Sequence, residues 1–287
     1  MKDSTRQKIK KIANGLPVWV KMAARVPFLF LFAYESLQAW REKSNNTPPS
    51  SCRSVSVIIP ALNEEDHIVR CIQSVSGNVH VLEIIVVDGG STDQTRELAG
   101  QSGARLLVHE QPVEAGGGRG GQIKAGIDAA GGDVVMILHA DVVLPAVEID
   151  RVIAVLNENP GIAGGAVGCR FDSVRLRFRF IELANDMRAA FFKISFGDQV
   201  QFFRRQPVVA RDMYPGIPLM EDVEISIRLH RLGRQIYLFG DALVSARRWD
   251  RIGFRNAPWV FRQVTAYLVR RLWSQPDTAK LYRKYYH

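Results

Sequence analysis

Three short acidic motifs follow one another along the chain, each at a place where a carboxylate could do chemistry. They are Val86-Val87-Asp88-Gly89-Gly90-Ser91-Thr92-Asp93, then Leu138-His139-Ala140-Asp141, then Met220-Glu221-Asp222. Asp88 and Asp141 each close an apolar run of the buried-strand type, and Glu221-Asp222 opens a helical pattern. Such a set suits a ligand that carries a diphosphate. One acid holds its nucleoside, one holds a divalent metal on its phosphates, and one takes a proton from an acceptor.

Each motif has a second reading beside the chemical one. Asp88 precedes Gly89-Gly90, which let the backbone turn sharply. A carboxylate buried at a strand end is costly without a partner, so Asp88 is read as facing a base or ribose. Ser91 to Gln94 fits a capping box, so Asp93 either caps the next helix or joins the site. Pro60-Ala61-Leu62-Asn63-Glu64-Glu65 lies where a nucleoside could rest on the sheet edge, and could equally be a helix start capped by Asn63. Asp141 alone suffices for a metal that keeps phosphate and water as its other ligands. His139 is either a second ligand or a packing group that orients its neighbour. Glu221 and Asp222 either complement the helix dipole or, taken with the other motifs, supply Asp222 as the general base with Glu221 beside it, since a helix start keeps a proton acceptor ionised.

Two further stretches bear on phosphate. Gly116-Gly117-Gly118-Arg119-Gly120-Gly121 contains GxGxxG, but residues 110–115 separate it from its strand, which argues against a dinucleotide turn. It is read as a loop in which Arg119 meets donor oxygens and the glycines permit close approach. Arg247-Arg248-Trp249 could clamp a diphosphate and stack a sugar, or form a solvated surface pair.

The elements that must position these residues alternate. Strands are expected over 55–59, 83–87, 106–108 and 134–138, with Pro60 ending the first. Helices are expected over 64–75, 94–101 and 122–130. That alternation implies an α/β fold: a mostly parallel sheet with helices on both faces, and ligands beyond the carboxyl ends of its strands. The later part is less regular, with helices over 148–157, 223–232 and 259–273 and strands over 164–171 and 242–245.

At 287 residues with 47% hydrophobic content, the chain can bury a full core. Its net charge of +9 favours anionic partners, and arginines cluster in the second half at 175, 177, 179, 204, 205, 247 and 248. No nucleic-acid-binding motif accompanies them, so nucleic acid is excluded. Cys52, Cys71 and Cys169 lack CxxC spacing, which fits a reducing compartment and argues against a zinc site.

Residues 1–43 form a basic, amphipathic N-terminal segment, and 44–53 a polar linker. The apolar run from Val26 to Tyr34 is shorter than the roughly 20 residues of a spanning helix. It suits a helix lying in a membrane interface, with Trp19, Phe28, Phe30 and Phe32 as anchors, or one docked on the protein itself. The first reading places the protein in the cytoplasm, peripheral on the inner face of the cell membrane. A lipid or lipid-linked acceptor then follows, and the basic tail around Lys280, Arg283 and Lys284 would assist at anionic lipid.

In this order the motifs resemble the family 2 glycosyltransferases of the GT-A fold, over residues 54 to 250, with 251–287 as a helical extension. Phe196-Gly197-Asp198-Gln199, Pro218-Leu219-Met220-Glu221-Asp222 and Ser245-Ala246-Arg247-Arg248-Trp249 resemble a bacterial, selenodomain-associated subgroup. The resemblance implies a nucleotide-sugar donor (commonly UDP-linked), Mg²⁺ or Mn²⁺, a hydroxyl acceptor and inversion at the anomeric carbon. It places Pro60, Asn63, Glu64 and Asp88 around the nucleoside and Asp141 on the metal. Asp222 falls at the base position, Asp198 and Gln199 on the acceptor side, and Arg248 and Trp249 at the end of a Q-x-x-R-W element. His139 stands where the first aspartate of DxD is usual, and Ser245 where that element has glutamine, which argues against a processive polymerase. A sugar-phosphate nucleotidyltransferase would carry a glycine-rich signature after the first strand, where this chain has Ala61-Leu62-Asn63-Glu64. A membrane-bound scaffold that has lost catalysis is the non-enzymatic alternative.

Overall fold

The structure, a computed structural model, describes residues 51–247, 257–271, 273–274 and 276–286. The expectations for residues 1–43, for most of the 44–53 linker, and for Arg248 and Trp249 fall outside the described residues. Arginine-free apolar runs become the central strands: β1 (Val55–Ala61), β2 (Val81–Asp88) and β4 (Val134–Ile137), with the short β3 (Arg105–Val108) at the edge. They are joined by α1 (Ile68–Val75), α2 (Thr95–Gln101) and α3 (Arg119–Ala129). Then come β5 (Val142–Val143), α4 (Ala146–Glu158), β6 (Ile162–Phe171), α5 (Leu176–Phe192), β7 (Val200–Arg204) and α6 (Arg205–Val209). The described chain closes with α7 (Glu221–Leu229), β8 (Arg234–Val244), α8 (Ala257–Arg271) and α9 (Thr278–Tyr286).

Among the described residues, eight strands form one sheet in the order β3-β2-β1-β4-β7-β6-β8-β5. Four of its seven pairings are parallel and three, around β7 and β5, are antiparallel. Alternate residues of each central strand feed two cores. Val57, Ile59, Val86 and Met136 meet α1 and α4 on one face. Ile58, Ile85, Val87 and Val135 meet α3 and α7 on the other. Covering both faces is why these strands read as unbroken apolar runs rather than as alternation. The expected α/β sheet with helices on both faces is present.

The chain leaves β1 towards β2 and β3, then returns to β4 on the opposite side of β1. That reversal opens the crevice where α/β sheets bind ligands. Pro60 does not end β1; the strand runs on to Ala61. Ile58 O accepts from Leu138 N and Ala61 O from Gly89 N, so residue 60 faces the β4 side, beyond the last paired residue of β4 at Ile137. A proline there forfeits no ladder bond.

Other boundaries moved for identifiable reasons. Helix α1 begins at Ile68, because Asn63 takes a left-handed conformation (φ 54°) and His67 occupies the cap position. Asn63 therefore caps no helix. Helix α3 begins three residues before the expected Gln122, at Arg119. The last linker residues are already docked: Cys52 N donates to Asn157 Oδ1, and Arg53 N to Asp133 Oδ2. A third core cluster packs α8 and α9 onto Ile194, Leu219, Val223 and Ile227 around α7. No helix among the described residues is long and apolar enough to cross a membrane.

Candidate active site at the carboxyl edge of the sheet

Asp88 ends β2 and is fully buried. Its Oδ1 accepts from Gly90 N and Ser91 N, both at 3.0 Å, and from Arg96 Nε at 2.5 Å. Burial alone would raise this carboxyl, but the bonds from Ser91, Arg96 and Gly90 prevail and hold it below the ordinary aspartate value. Its Oδ2 is buried with no hydrogen-bond partner. An ionised oxygen left so is costly unless a ligand donor, such as a base N–H, meets it. Asn63 braces the same turn: its N donates to Ser91 Oγ, and its Oδ1 accepts from Thr92 N. Asp93 serves structure, accepting from Thr95 N at 3.0 Å and Glu65 N at 3.2 Å. Pro60 lies buried within β1.

Asp141 follows β4, beside the end of β8. The antiparallel pairing of β5 with β8 brings Ser245 N to Asp141 O at 3.3 Å, and with it Arg247. Arg247 Nη2 binds Glu64 Oε2 at 3.0 Å across the crevice. A cleft lined by His67, Arg70, Asp141, Asp172 and Ser245 opens here. Burial, then the nearby charge of Glu64, raises the Asp141 carboxyl above its ordinary value, with His67 and Arg247 opposing. Two carboxylates crowded in this way would be relieved by a divalent cation. Among the described residues no three His, Cys, Asp or Glu side chains gather to hold a metal unaided. That fits a cation carried on phosphates, which needs only one or two protein carboxylates.

Asp222 opens α7 and is 8% exposed. Its Oδ2 accepts from Gly197 N at 2.8 Å and its Oδ1 from Val223 N at 2.7 Å. Beside it, Glu221 is 1% exposed and paired with Arg119 Nε. Burial pushes Glu221 up to about 7, against the pull of Arg119 and helped by Asp222. Arg119 was expected to meet donor oxygens, but it is drawn onto these acids, with Nη2 3.7 Å from Asp222 Oδ2. The glycines around it do permit close approach, to protein backbone: a Cβ on Gly120 would sit 1.9 Å from Ile217 O.

His139 joins the second and third groups. A Cβ on Gly197 would lie 2.3 Å from His139 Cε1, so the imidazole is wedged under the turn that holds Asp222. Its packing is thus seen directly. Asp198 stands half-buried near this turn. Gln199 does not face an acceptor: it is 1% exposed, its Oε1 accepts from Arg188 Nη2 and its Nε2 donates to Tyr237 OH. Arg204 is likewise removed from the basic surface. It is 1% exposed, and its guanidinium donates to Ile162 O, Leu156 O and Cys52 Sγ.

Three residues with structural command of the site were not foreseen. Gln122 Nε2 donates to Ala61 O and Val87 O, tying the ends of β1 and β2 at the crevice. Arg96 neutralises Asp88. Arg188 stacks on Phe196 at 3.5 Å and holds Ile194 O at 3.2 Å, fixing the loop that carries Gly197. A glutamine in a helix and an arginine between apolar residues give no local signal, since their partners are distant in sequence.

Comparison with known proteins bears on this arrangement. The family model described as glycosyl transferase family 2 matches residues 56–211. The glucosyl-3-phosphoglycerate synthase of Mycobacterium tuberculosis is 41% identical over 98 residues, covering 32% of this chain and 30% of that protein. The undecaprenyl-phosphate 4-deoxy-4-formamido-L-arabinose transferase of Pseudomonas fluorescens is 29% identical over 168 residues, covering 55% of this chain and 48% of that protein. The chain therefore spans only 30% and 48% of these two relatives' lengths. A crystal structure of the mycobacterial synthase with Mn²⁺, UDP-glucose and phosphoglyceric acid superposes with a TM-score of 0.54 at 26% identity, covering 79% of this chain and 81% of that one.

Proposed function

This chain belongs to glycosyl transferase family 2, and from that premise we propose that it transfers a sugar from a UDP-sugar to an acceptor hydroxyl, with inversion at the anomeric carbon. The observation that carries the reading is the setting of Asp222, aimed by the Gly197 N–H and joined through His139 to the strand end bearing Asp141. Asp222 removes the acceptor proton as the hydroxyl attacks. Asp88 Oδ2 receives a donor N–H of the base, while Asn63 shapes the turn beneath it. Arg247, already across the crevice on Glu64, lies beside the departing diphosphate, and Arg248 and Trp249 follow it in sequence.

Asp141, with Glu64 near it, would hold Mg²⁺ or Mn²⁺ on the diphosphate, and the bound ion would supply charge stabilisation of the leaving group. His139 acts by positioning rather than as a second ligand. Support for donor and metal comes from the mycobacterial synthase, whose structure holds Mn²⁺ and UDP-glucose. The undecaprenyl-phosphate transferase among the relatives, whose name gives a lipid phosphate, supports a lipid-linked acceptor, which would seat this protein at a membrane surface. The selenodomain-associated subgroup is the finer membership, supported by Phe196-Gly197-Asp198-Gln199 and Ser245-Ala246-Arg247-Arg248-Trp249.

The test is UDP release from a panel of UDP-sugars with Mn²⁺. Asp222→Asn should lower turnover by about 10²-fold or more, the usual worth of a general base, while donor binding persists. Unchanged turnover in that variant removes the mechanism. Pyrophosphate as product would indicate a nucleotidyltransferase, and no metal-dependent product with any donor would indicate a scaffold.

A further inference from the structure

Helix α5 is built inside out. Its two acids point inward: Glu182 is 4% exposed and accepts from Phe171 N, and Asp186 is 7% exposed and binds Arg170 and Tyr237 OH. Its large apolar residues point outward instead. Leu176, Phe180, Leu183, Met187 and Phe191 are between 49% and 76% exposed. Their spacing of four, three, four and four places them in one stripe along a single helical face. A 17-residue helix is about 26 Å long, so the stripe far exceeds the scattered apolar residues of an ordinary surface.

Charge decides what covers it. The exposed residues of α5 and its N-terminal flank include Arg175 and Arg179 against one carboxylate, Asp172, because Asp186 and Glu182, the latter paired with Arg179, are buried. A second copy would bring the same arginines to the same face. The chain's own apolar stretch at 26–34 is preceded by a basic segment of like sign. An anionic surface has the complementary sign, and an apolar stripe flanked by arginine is the pattern of an interfacial helix.

We propose that the outward face of α5 seats this protein on an anionic lipid bilayer. The consequence reaches the site, because α5 is fixed to the turn that aims Asp222. Arg188, on α5, holds Ile194 O and Gln199 Oε1, the two ends of the loop carrying Gly197. A bilayer under α5 therefore brings the proton-accepting carboxylate near the headgroups, where a lipid-linked hydroxyl would arrive. The proposal deepens the membrane part of the reading above, but lipid binding is measured without turnover, so each can fail alone.

The test uses the full chain with two probes. Phe180→Cys, labelled with bimane, places a reporter in the stripe, and the three native cysteines are buried. Its emission should shift to the blue with vesicles of phosphatidylcholine and phosphatidylglycerol, and not with phosphatidylcholine alone. The second probe is Leu183→Asp with Met187→Asp, which should weaken co-sedimentation with the same vesicles at least tenfold. Metal-dependent hydrolysis of the UDP-sugar in solution should not change in that variant. Emission unmoved by either vesicle overturns the proposal. So does emission already blue in buffer, which rising with protein concentration means a second copy, and otherwise means cover by the chain itself. Wild-type co-sedimentation of the double variant also overturns it.

Discussion

Asp141 and Glu221 are the two site carboxyls raised above their ordinary values, and the causes differ in a way that can be measured. Burial and the charge of Glu64 raise Asp141. Its proton must leave before a metal binds, so Mn²⁺ affinity should weaken as pH falls, beginning at a higher pH than an unperturbed aspartate would cause. Glu64→Gln removes the crowding charge and should move that weakening to lower pH, in titrations of Mn²⁺ with UDP present. Asp141→Asn should remove the pH dependence along with most of the affinity. Glu221 is raised mainly by burial to about 7, with Arg119 opposing. Arg119→Met therefore takes away a stabilising cation, and the Glu221 carboxyl should titrate higher still. The ¹³C shift of the carboxyl reads this directly, and titration at or below 7 in that variant would contradict it.

At the scale of elements, the half of the fold from β1 to β4 was legible because its strands are covered on both faces and its turns carry glycine, asparagine and acids. In the other half α4, β6, α7 and α8 were legible too, but α5 and β7 were not. Helix α5 carries its apolar stripe outward and its acids inward, so periodicity gave no usable sign of which side packs. Strand β7 reads VQFFR, and its polar residues are buried: Gln201 donates to Ser195 Oγ and Asp222 O, and Arg204 to backbone carbonyls. The site was legible as residue types, since Asp88, Asp141 and Asp222 all lie at element ends. Their supports, Gln122 and Arg188, depend on tertiary contacts that no local pattern encodes. The glycine-rich start of α3 shows the same division. Gly120 was visible, but its reason is the backbone of Ile217, 1.9 Å from where a Cβ would stand. Gly120→Ala must push that backbone aside, so it should cost about 1–3 kcal/mol in denaturant unfolding, a typical penalty for overpacking. Turnover should fall as well, because Glu221 and Asp222 follow the displaced segment. An unchanged unfolding midpoint would show that the two segments part freely.

At the scale of the molecule, α8 is tied to the helix that bears Asp222 by one buried acid as well as by the apolar cluster around Val223 and Ile227. Glu224 of α7, 6% exposed, accepts from Arg271 Nε at 2.7 Å, from Tyr267 OH at 3.0 Å and from Arg228 Nε at 2.9 Å. Two of these donors lie on α8, so residues after 250 hold the helix that starts with Asp222 and do not merely trail from it. Burial would raise the Glu224 carboxyl, but the bonds and charges of Arg271 and Arg228 prevail and lower it from 4.5. A carboxyl lowered on folding contributes stability that is complete above its unfolded pKa and is lost as pH falls through the folded value. Arg271→Met keeps most of the side-chain volume and removes one cation from a buried acid. It should cost about 1–3 kcal/mol near neutral pH, the range for leaving a buried acceptor under-satisfied. The folded pKa of Glu224 then rises toward 4.5, so the variant should lose less further stability than the wild type as pH falls from 5 to 3. Urea unfolding at several pH values checks both signs. A cost that grows toward acid, or no cost at neutrality, would mean that α8 and α7 are joined by their apolar contacts alone.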